Sequence, residues 1–204
     1  MRSRPPLGQV LALISAATVP VGRPLLVAID GCGGAGKSTL AQELATVLGQ
    51  STLVEGDDFY RVMDVAERAE LSADAGYDRY FDWERLRDEV LVPLRAGKPA
   101  RYRRFEWDAA ERRGLTTDAV EVKPHGIVIV DGVYCNRPEL AELYDVSVFV
   151  DTPEPTRYRR LLARGQNDVE WIDRWMAADR IYDEHDPAGR ADLVVSGGSN
   201  LTED

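Results

Sequence analysis

The eight residues Gly31-Cys32-Gly33-Gly34-Ala35-Gly36-Lys37-Ser38 constrain this chain more than any other segment. They fit the spacing G-x-x-x-x-G-K-[ST], in which glycines let successive backbone amides turn inward and cradle anionic oxygens. The flanks fit as well. Leu25-Leu26-Val27-Ala28-Ile29-Asp30 is a short apolar run between Pro24 and Gly31, and reads as a strand buried on both faces. From Ser38 to Leu48, apolar residues recur at 40, 41, 44, 45 and 48, a helical spacing, with Gly49 as its C-cap. A strand feeding a glycine loop that opens a helix aims the helix's N-terminal partial charge at the same anion. The segment therefore reads as a Walker A loop for a nucleoside triphosphate. Gly31, Gly33, Gly34, Ala35, Gly36 and Thr39 surround the phosphates, Lys37 reaches the β- and γ-phosphates, and the Ser38 hydroxyl binds Mg²⁺. Cys32 reads as a small filler of the loop.

Further strands are expected at Thr52-Leu53-Val54, Ile127 to Asp131, Val146 to Asp151 and Ala191 to Val195. Helices are expected from Trp83 to Leu94, Pro153 to Arg164 and Val169 to Tyr182, whereas 61–81 reads as loop with a helical turn. Strands alternating with helices give an α/β fold, a three-layer sandwich with a mostly parallel central sheet, helices on both faces and a short lid. With 204 residues, one domain over 1–204 is expected, with an N-terminal helix in 1–22, an acceptor-side flap or hairpin in 95–125 and the lid in 153–168.

Charge narrows the class. Lys+Arg is 25 against Asp+Glu 35, a net charge of −10, which phosphate backbones repel; general nucleic-acid binding is not expected. Two cysteines, Cys32 and Cys135, form no CxxC pair and suit a reducing cytoplasm. No run of 18 apolar residues is present, so no membrane span is expected. Arg2 and Arg4 before Val10-Leu11-Ala12-Leu13-Ile14 imitate a secretion signal, but Gln9 interrupts the stretch, and an amphipathic helix over one sheet edge is the expected reading.

A GTPase would carry N-K-x-D, which is absent, and Ser196-Gly197-Gly198 comes too late to be a transporter signature. A small kinase remains. Four segments carry a resemblance to the uridine kinase and phosphoribulokinase family. They are Ile29-Asp30-Gly31 with Gly33 to Thr39, the D-x-F-Y-like Asp57-Asp58-Phe59-Tyr60, Tyr80-Phe81-Asp82 before a helix, and Val130-Asp131-Gly132-Val133. The resemblance covers about residues 25 to 196. It implies Asp57 as the group that orients and deprotonates the acceptor hydroxyl, with a share in Mg²⁺ binding; the neighbouring Asp58 is the rival. It implies Tyr60 and Asp82 at the acceptor, although Asp82 also reads as a helix N-cap. Asp131, where uridine kinases tend to have Glu, ends a buried strand and reads as the second Mg²⁺ anchor or as a cap.

Arg157, Arg160 and Arg164 share one helical face, and Arg159 points elsewhere. Such a face clamps phosphate by bidentate bonds, with Arg160 and Arg164 acting in catalysis, or is simply a solvated face. Trp171 and Trp175 read as core; His125 and His185 receive no role. Uridine kinases show Tyr-Asp and then His where this chain has Phe105-Glu106 and Ala110. Phe105 then faces the acceptor without a hydroxyl, and Glu106 with the surrounding arginines, Arg112 among them, offers a charged surface instead. Poor use of uridine and cytidine follows as an expectation. The expected partners are ATP and a small-molecule hydroxyl acceptor, a nucleoside first and pantothenate or a sugar as alternatives. A homo-oligomer is left open. The rival class is a nucleotide-binding regulatory module without an acceptor pocket.

Overall fold

The computed structural model describes residues 5–107, 114–165 and 168–198. Five parallel strands form the central sheet: β1 (Leu25–Asp30), β2 (Ser51–Glu55), β5 (Ile127–Gly132), β6 (Val146–Asp151) and β7 (Leu193–Ser196), in the order β2-β5-β1-β6-β7. The apolar runs form its centre because a strand covered on both faces has no polar side to show. All six residues of β1 are buried.

Each face carries its own core. On one, α1 (Pro5–Ala16) and α2 (Lys37–Leu48) pack Leu7, Val10, Ile14, Leu40 and Leu44 onto Val27, Ile29, Val146 and Val148. The N-terminal helix thus lies against the sheet beside β6 and β7. On the other face lies a helical run that begins as α5 (Trp83–Arg85), widens into a π-helical stretch (Leu86–Leu91) and closes as α6 (Val92–Arg95). Pro93 has no amide to donate back to the preceding turn, which suits the widened ladder before it. Leu86, Val90, Leu91 and Leu94 from this run meet Leu26, Ala28, Val128 and Val130.

Where 95–125 was expected to hold a flap or hairpin, β3 (Ala100–Phe105) and β4 (Leu115–Val122) pair antiparallel, with a bulge between Arg103 and Phe105. Its buried side adds Ala100, Tyr102 and Val122 to the second core. The segment read as loop contains two short helices, α3 (Val65–Ala69) and α4 (Ala73–Arg79). Neither shows an apolar period; Asp64 and Ser72 cap them by accepting the amides of Ala66 (2.8 Å) and Ala75 (3.2 Å). The chain continues with α7 (Pro138–Ala141), α8 (Glu154–Arg164), α9 (Val169–Glu184) and α10 (Pro187–Arg190). The one-turn helices α7 and α10 are too short for any periodic signal.

Among the described residues, no helix is long and apolar enough to cross a membrane.

Candidate active site

The parallel register decides what meets at the carboxyl ends of the strands, where open α/β sheets bind ligands. Glu55 pairs with Asp131, and Ile29 and Asp30 pair with Asp131 and Gly132. The turn after β2 and the end of β5 therefore lie beside the start of the phosphate loop. The approach is close enough that a Cβ on Gly56 would come within 2.6 Å of the Gly132 Cα. Both positions need glycine for that reason. Gly34 adopts φ +76°, and a Cβ there would meet the Arg157 carbonyl oxygen at 2.8 Å. The loop leans on α8 with no room to spare.

A cavity of about 610 Å³ opens above these strand ends. Gly33, Gly34, Gly36, Lys37, Ser38 and Thr39 form one end of it. Lys37 Nζ donates to the Cys32 carbonyl at 3.1 Å, and its charge favours ionisation of the buried carboxyls of Asp30, Asp131 and Asp179. Asp131 is buried and its pKa is pushed up to about 6, chiefly by loss of water, against the pull of Lys37 and a hydrogen bond with Ser38. The Asp131 atom Oδ1 is buried without a hydrogen-bond partner among the described residues. A hydroxyl beside a carboxylate with an open oxygen fits Mg²⁺, which takes one or two protein ligands and completes its shell with phosphate and water. Among the described residues, no three His, Cys, Asp or Glu side chains are grouped so as to hold a metal ion.

The two adjacent carboxylates share the single 3₁₀ turn Gly56–Phe59, whose three residues per turn, not a strand's alternation, send successive side chains about 120° apart. Asp57 is exposed and lines the cavity. Asp58 is buried; its Oδ2 accepts from the Tyr102 hydroxyl at 3.1 Å and sits 3.3 Å from Arg104 Nε. Asp58 also touches the cavity, but its carboxylate is engaged by the hairpin.

The cavity also has an aromatic wall of Tyr60, Tyr80, Phe81, Trp107, Tyr134 and Trp175, of which Tyr134 packs in one cluster with Cys32 of the loop. The D-x-F-Y and F-D segments meet because residues 59–61 and 80–82 form a short antiparallel bridge, with Asp82 N donating to Phe59 O at 2.7 Å and Arg61 N to Tyr80 O at 2.9 Å. Trp107 is tilted over Tyr60, ring centres 4.8 Å apart, and its Nε1 donates to the Asp57 carbonyl at 3.2 Å. Trp175 Nε1 donates to the Tyr60 hydroxyl at 3.3 Å. The Arg68 guanidinium lies 4.1 Å from the Tyr60 ring centre.

Several expected residues lie elsewhere. Asp82 does not line the cavity. Its carboxylate caps the following helix, accepting from Arg85 N at 3.3 Å, and sits 3.5 Å from Arg61. Phe105 is buried one layer back, against the Tyr60 and Trp107 rings, and Trp107 takes the wall position. Arg160 works on the outer side of the phosphate loop, donating to the carbonyls of Gly34 (3.2 Å), Ala35 (3.3 Å) and Gly197 (3.3 Å). Arg157 is buried against Asp179 at 2.6 Å, so of the three arginines only Arg164 lines the cavity. Arg112 and Ala110 lie outside the described residues. Trp107, Trp175 and Asp179 carry no motif; Trp175 was read as core, and Asp179 shows only as one acid among many. Asp82→Ala is expected to lower stability by about 1 kcal/mol, the worth of an N-cap. Thermal unfolding measures that loss, and turnover should fall far less than on changing Asp57.

Comparison with known proteins places this geometry. A family model described as an AAA domain matches residues 27–184, from within β1 through α9. A uridine kinase from Clostridium botulinum (strain Kyoto / Type A2) is 31% identical over 196 residues, covering 87% of this chain and 91% of its own length. The chain belongs to the uridine kinase family of P-loop kinases. Members of this family are phosphotransferases with an alcohol group as acceptor, and membership implies ATP as the donor. A nicotinamide riboside kinase from Saccharomyces cerevisiae is 26% identical over 200 residues, covering 85% of this chain and 80% of its own length. Among solved structures, one described as a possible uridine kinase from Bacillus stearothermophilus superposes with a TM-score of 0.71 at 21% identity, covering 92% of this chain and 96% of that one. At that identity the superposition speaks for the fold.

Proposed function

We propose that this chain transfers the γ-phosphoryl of ATP to a hydroxyl of a nucleoside, with Mg²⁺. The observation that carries the reading is the cavity itself. One cavity is lined by a phosphate loop with Lys37 and Ser38, by an aromatic wall and by Asp57. A regulatory nucleotide switch has no use for that wall.

Phosphoryl transfer leaves the protein mainly positioning and charge neutralisation to do. The loop amides and Lys37 hold the phosphates, and Asp57 orients the acceptor hydroxyl and takes its proton. Ser38 and Asp131 would hold Mg²⁺, which neutralises phosphate charge when bound. Arg164 reaches the phosphates from the end of α8, and the hairpin closes the acceptor side through Trp107. ATP as donor suits a cytoplasmic setting.

Acceptor preference follows from the wall. Base stacking on aromatic side chains is worth about 1–3 kcal/mol and tolerates any base, because each has a π-face. With Phe105 behind the wall, no hydroxyl from that position reads a pyrimidine edge. One lost buried hydrogen bond costs about 1–3 kcal/mol, and each ~1.4 kcal/mol is a factor of ten. Uridine and cytidine are therefore expected to hold no rate advantage over other aromatic-base nucleosides. Initial rates at fixed ATP over uridine, cytidine, purine nucleosides, nicotinamide riboside, pantothenate and simple sugars test this. Exclusive use of uridine and cytidine would contradict it.

A further inference from the structure

Asp179, on α9, is a buried carboxylate to which the transfer chemistry gives no task; 2% of its surface is exposed. Its Oδ2 accepts from Arg157 Nη1 at 2.6 Å and from the Gly33 amide at 3.1 Å, and its Oδ1 accepts from the Tyr134 hydroxyl at 2.9 Å. One side chain thus ties together α8, the phosphate loop and the turn after β5. A buried charge is tolerated only when paired and hydrogen-bonded, and here every bond reaches a different part of the site.

The neighbouring contacts extend the tie. Arg157 Nε donates to the Thr152 carbonyl at 3.1 Å, and the Thr152 hydroxyl donates to the Ala35 carbonyl at 2.9 Å, so the middle of the loop is held at both Gly33 and Ala35. Tyr134 has φ +59°, a conformation that a bulky side chain keeps only when its surroundings hold it, and its hydroxyl ends on Asp179. One helical turn before Asp179, Trp175 reaches the acceptor wall through the Tyr60 hydroxyl. α9 therefore touches the phosphate end and the acceptor end of one cavity.

We infer that Asp179 is a positioning residue of the phosphate loop. By taking the Gly33 amide it fixes the backbone at Gly33 and Gly34, so that the remaining loop amides point at the phosphates. This rests on the kinase reading above for its ligand, Mg·ATP.

Asp179→Leu alone leaves the Arg157 charge buried without its partner, so the paired variant Arg157→Met/Asp179→Leu, which removes both charges and leaves the Gly33 amide without its acceptor, is measured beside it. Three readouts are needed: the Kd of Mg·ATP by titration calorimetry, the KM of the acceptor, and thermal unfolding. Both variants are expected to bind Mg·ATP at least tenfold more weakly, while the KM of the nucleoside the parent uses fastest rises by no more than about threefold, the part that the freed Tyr134 hydroxyl transmits. That split separates loop positioning from general loosening, which would move both constants. A folded paired variant that binds Mg·ATP as the parent does overturns the inference. So does a paired variant without a cooperative unfolding transition, since Asp179 would then serve the fold. A parent chain that does not bind Mg·ATP would instead overturn the kinase reading, and this inference with it.

Discussion

Lys37→Ala is expected to abolish phosphoryl transfer while leaving the folded protein close to the parent. Lys37 is buried at the mouth of the phosphate loop and donates only to the Cys32 carbonyl among the hydrogen bonds its ammonium makes within the described residues. Its alkyl stem fills no core; its charge is what the site uses. A single electrostatic donor aimed at charge developing in the transition state is worth about 10²–10³ in rate. Lys37 also serves the ground-state phosphates, so kcat/KM should fall by at least ~10³-fold. Removing the ammonium leaves Asp131 without the cation that favours its ionised form, which weakens Mg²⁺ affinity as well. Thermal unfolding should move little. Near-parental turnover with ATP and Mg²⁺ would show that the loop is not the transfer site.

The second large effect is expected at Asp57. Asp57→Asn keeps the volume and removes both the proposed proton acceptor and a negative charge. Proton transfer by a positioned side chain is worth about 10²–10⁴-fold in rate, so kcat should drop within that range while the KM for ATP changes little. Asp58→Asn is the matched control. Its carboxylate already serves Tyr102 and Arg104, so its loss should appear in thermal unfolding and hairpin packing more than in turnover. Measuring kcat for both variants separates the neighbours, and a larger loss at Asp58 would move the proton-accepting role to it.

The strands and the phosphate loop were legible because each is fixed by local chemistry. A buried parallel strand must be a short apolar run, and a loop that presents its amides needs glycine at set positions. The helix over Trp83 to Leu94 was legible too, but not its widening into a π-helical stretch at Leu86–Leu91, nor the short capped helices before it, whose stability comes from caps and packing rather than a period. Side-chain direction was the other limit. The i, i+3, i+7 spacing correctly groups Arg157, Arg160 and Arg164 on one face, yet the packing of α8 against the loop and α9 sends one into a buried ion pair and another onto loop carbonyls. The resemblance drew attention to Phe105, but the bulge at the end of β3 and the ring packing there bring Trp107 to the wall. Trp175 and Asp179 are separated from the loop by more than 130 residues, and only the fold brings them to it.

In the proposed reaction, phosphate moves from ATP to a nucleoside hydroxyl at this cavity. Incubation of the chain with γ-³²P-labelled ATP, Mg²⁺ and a set of nucleosides, followed by chromatographic separation of the products, tests it most directly. The expected result is label in a nucleoside monophosphate, formed one for one with ADP and lost in Lys37→Ala. Label released only as inorganic phosphate, at a rate that no nucleoside changes, would contradict it.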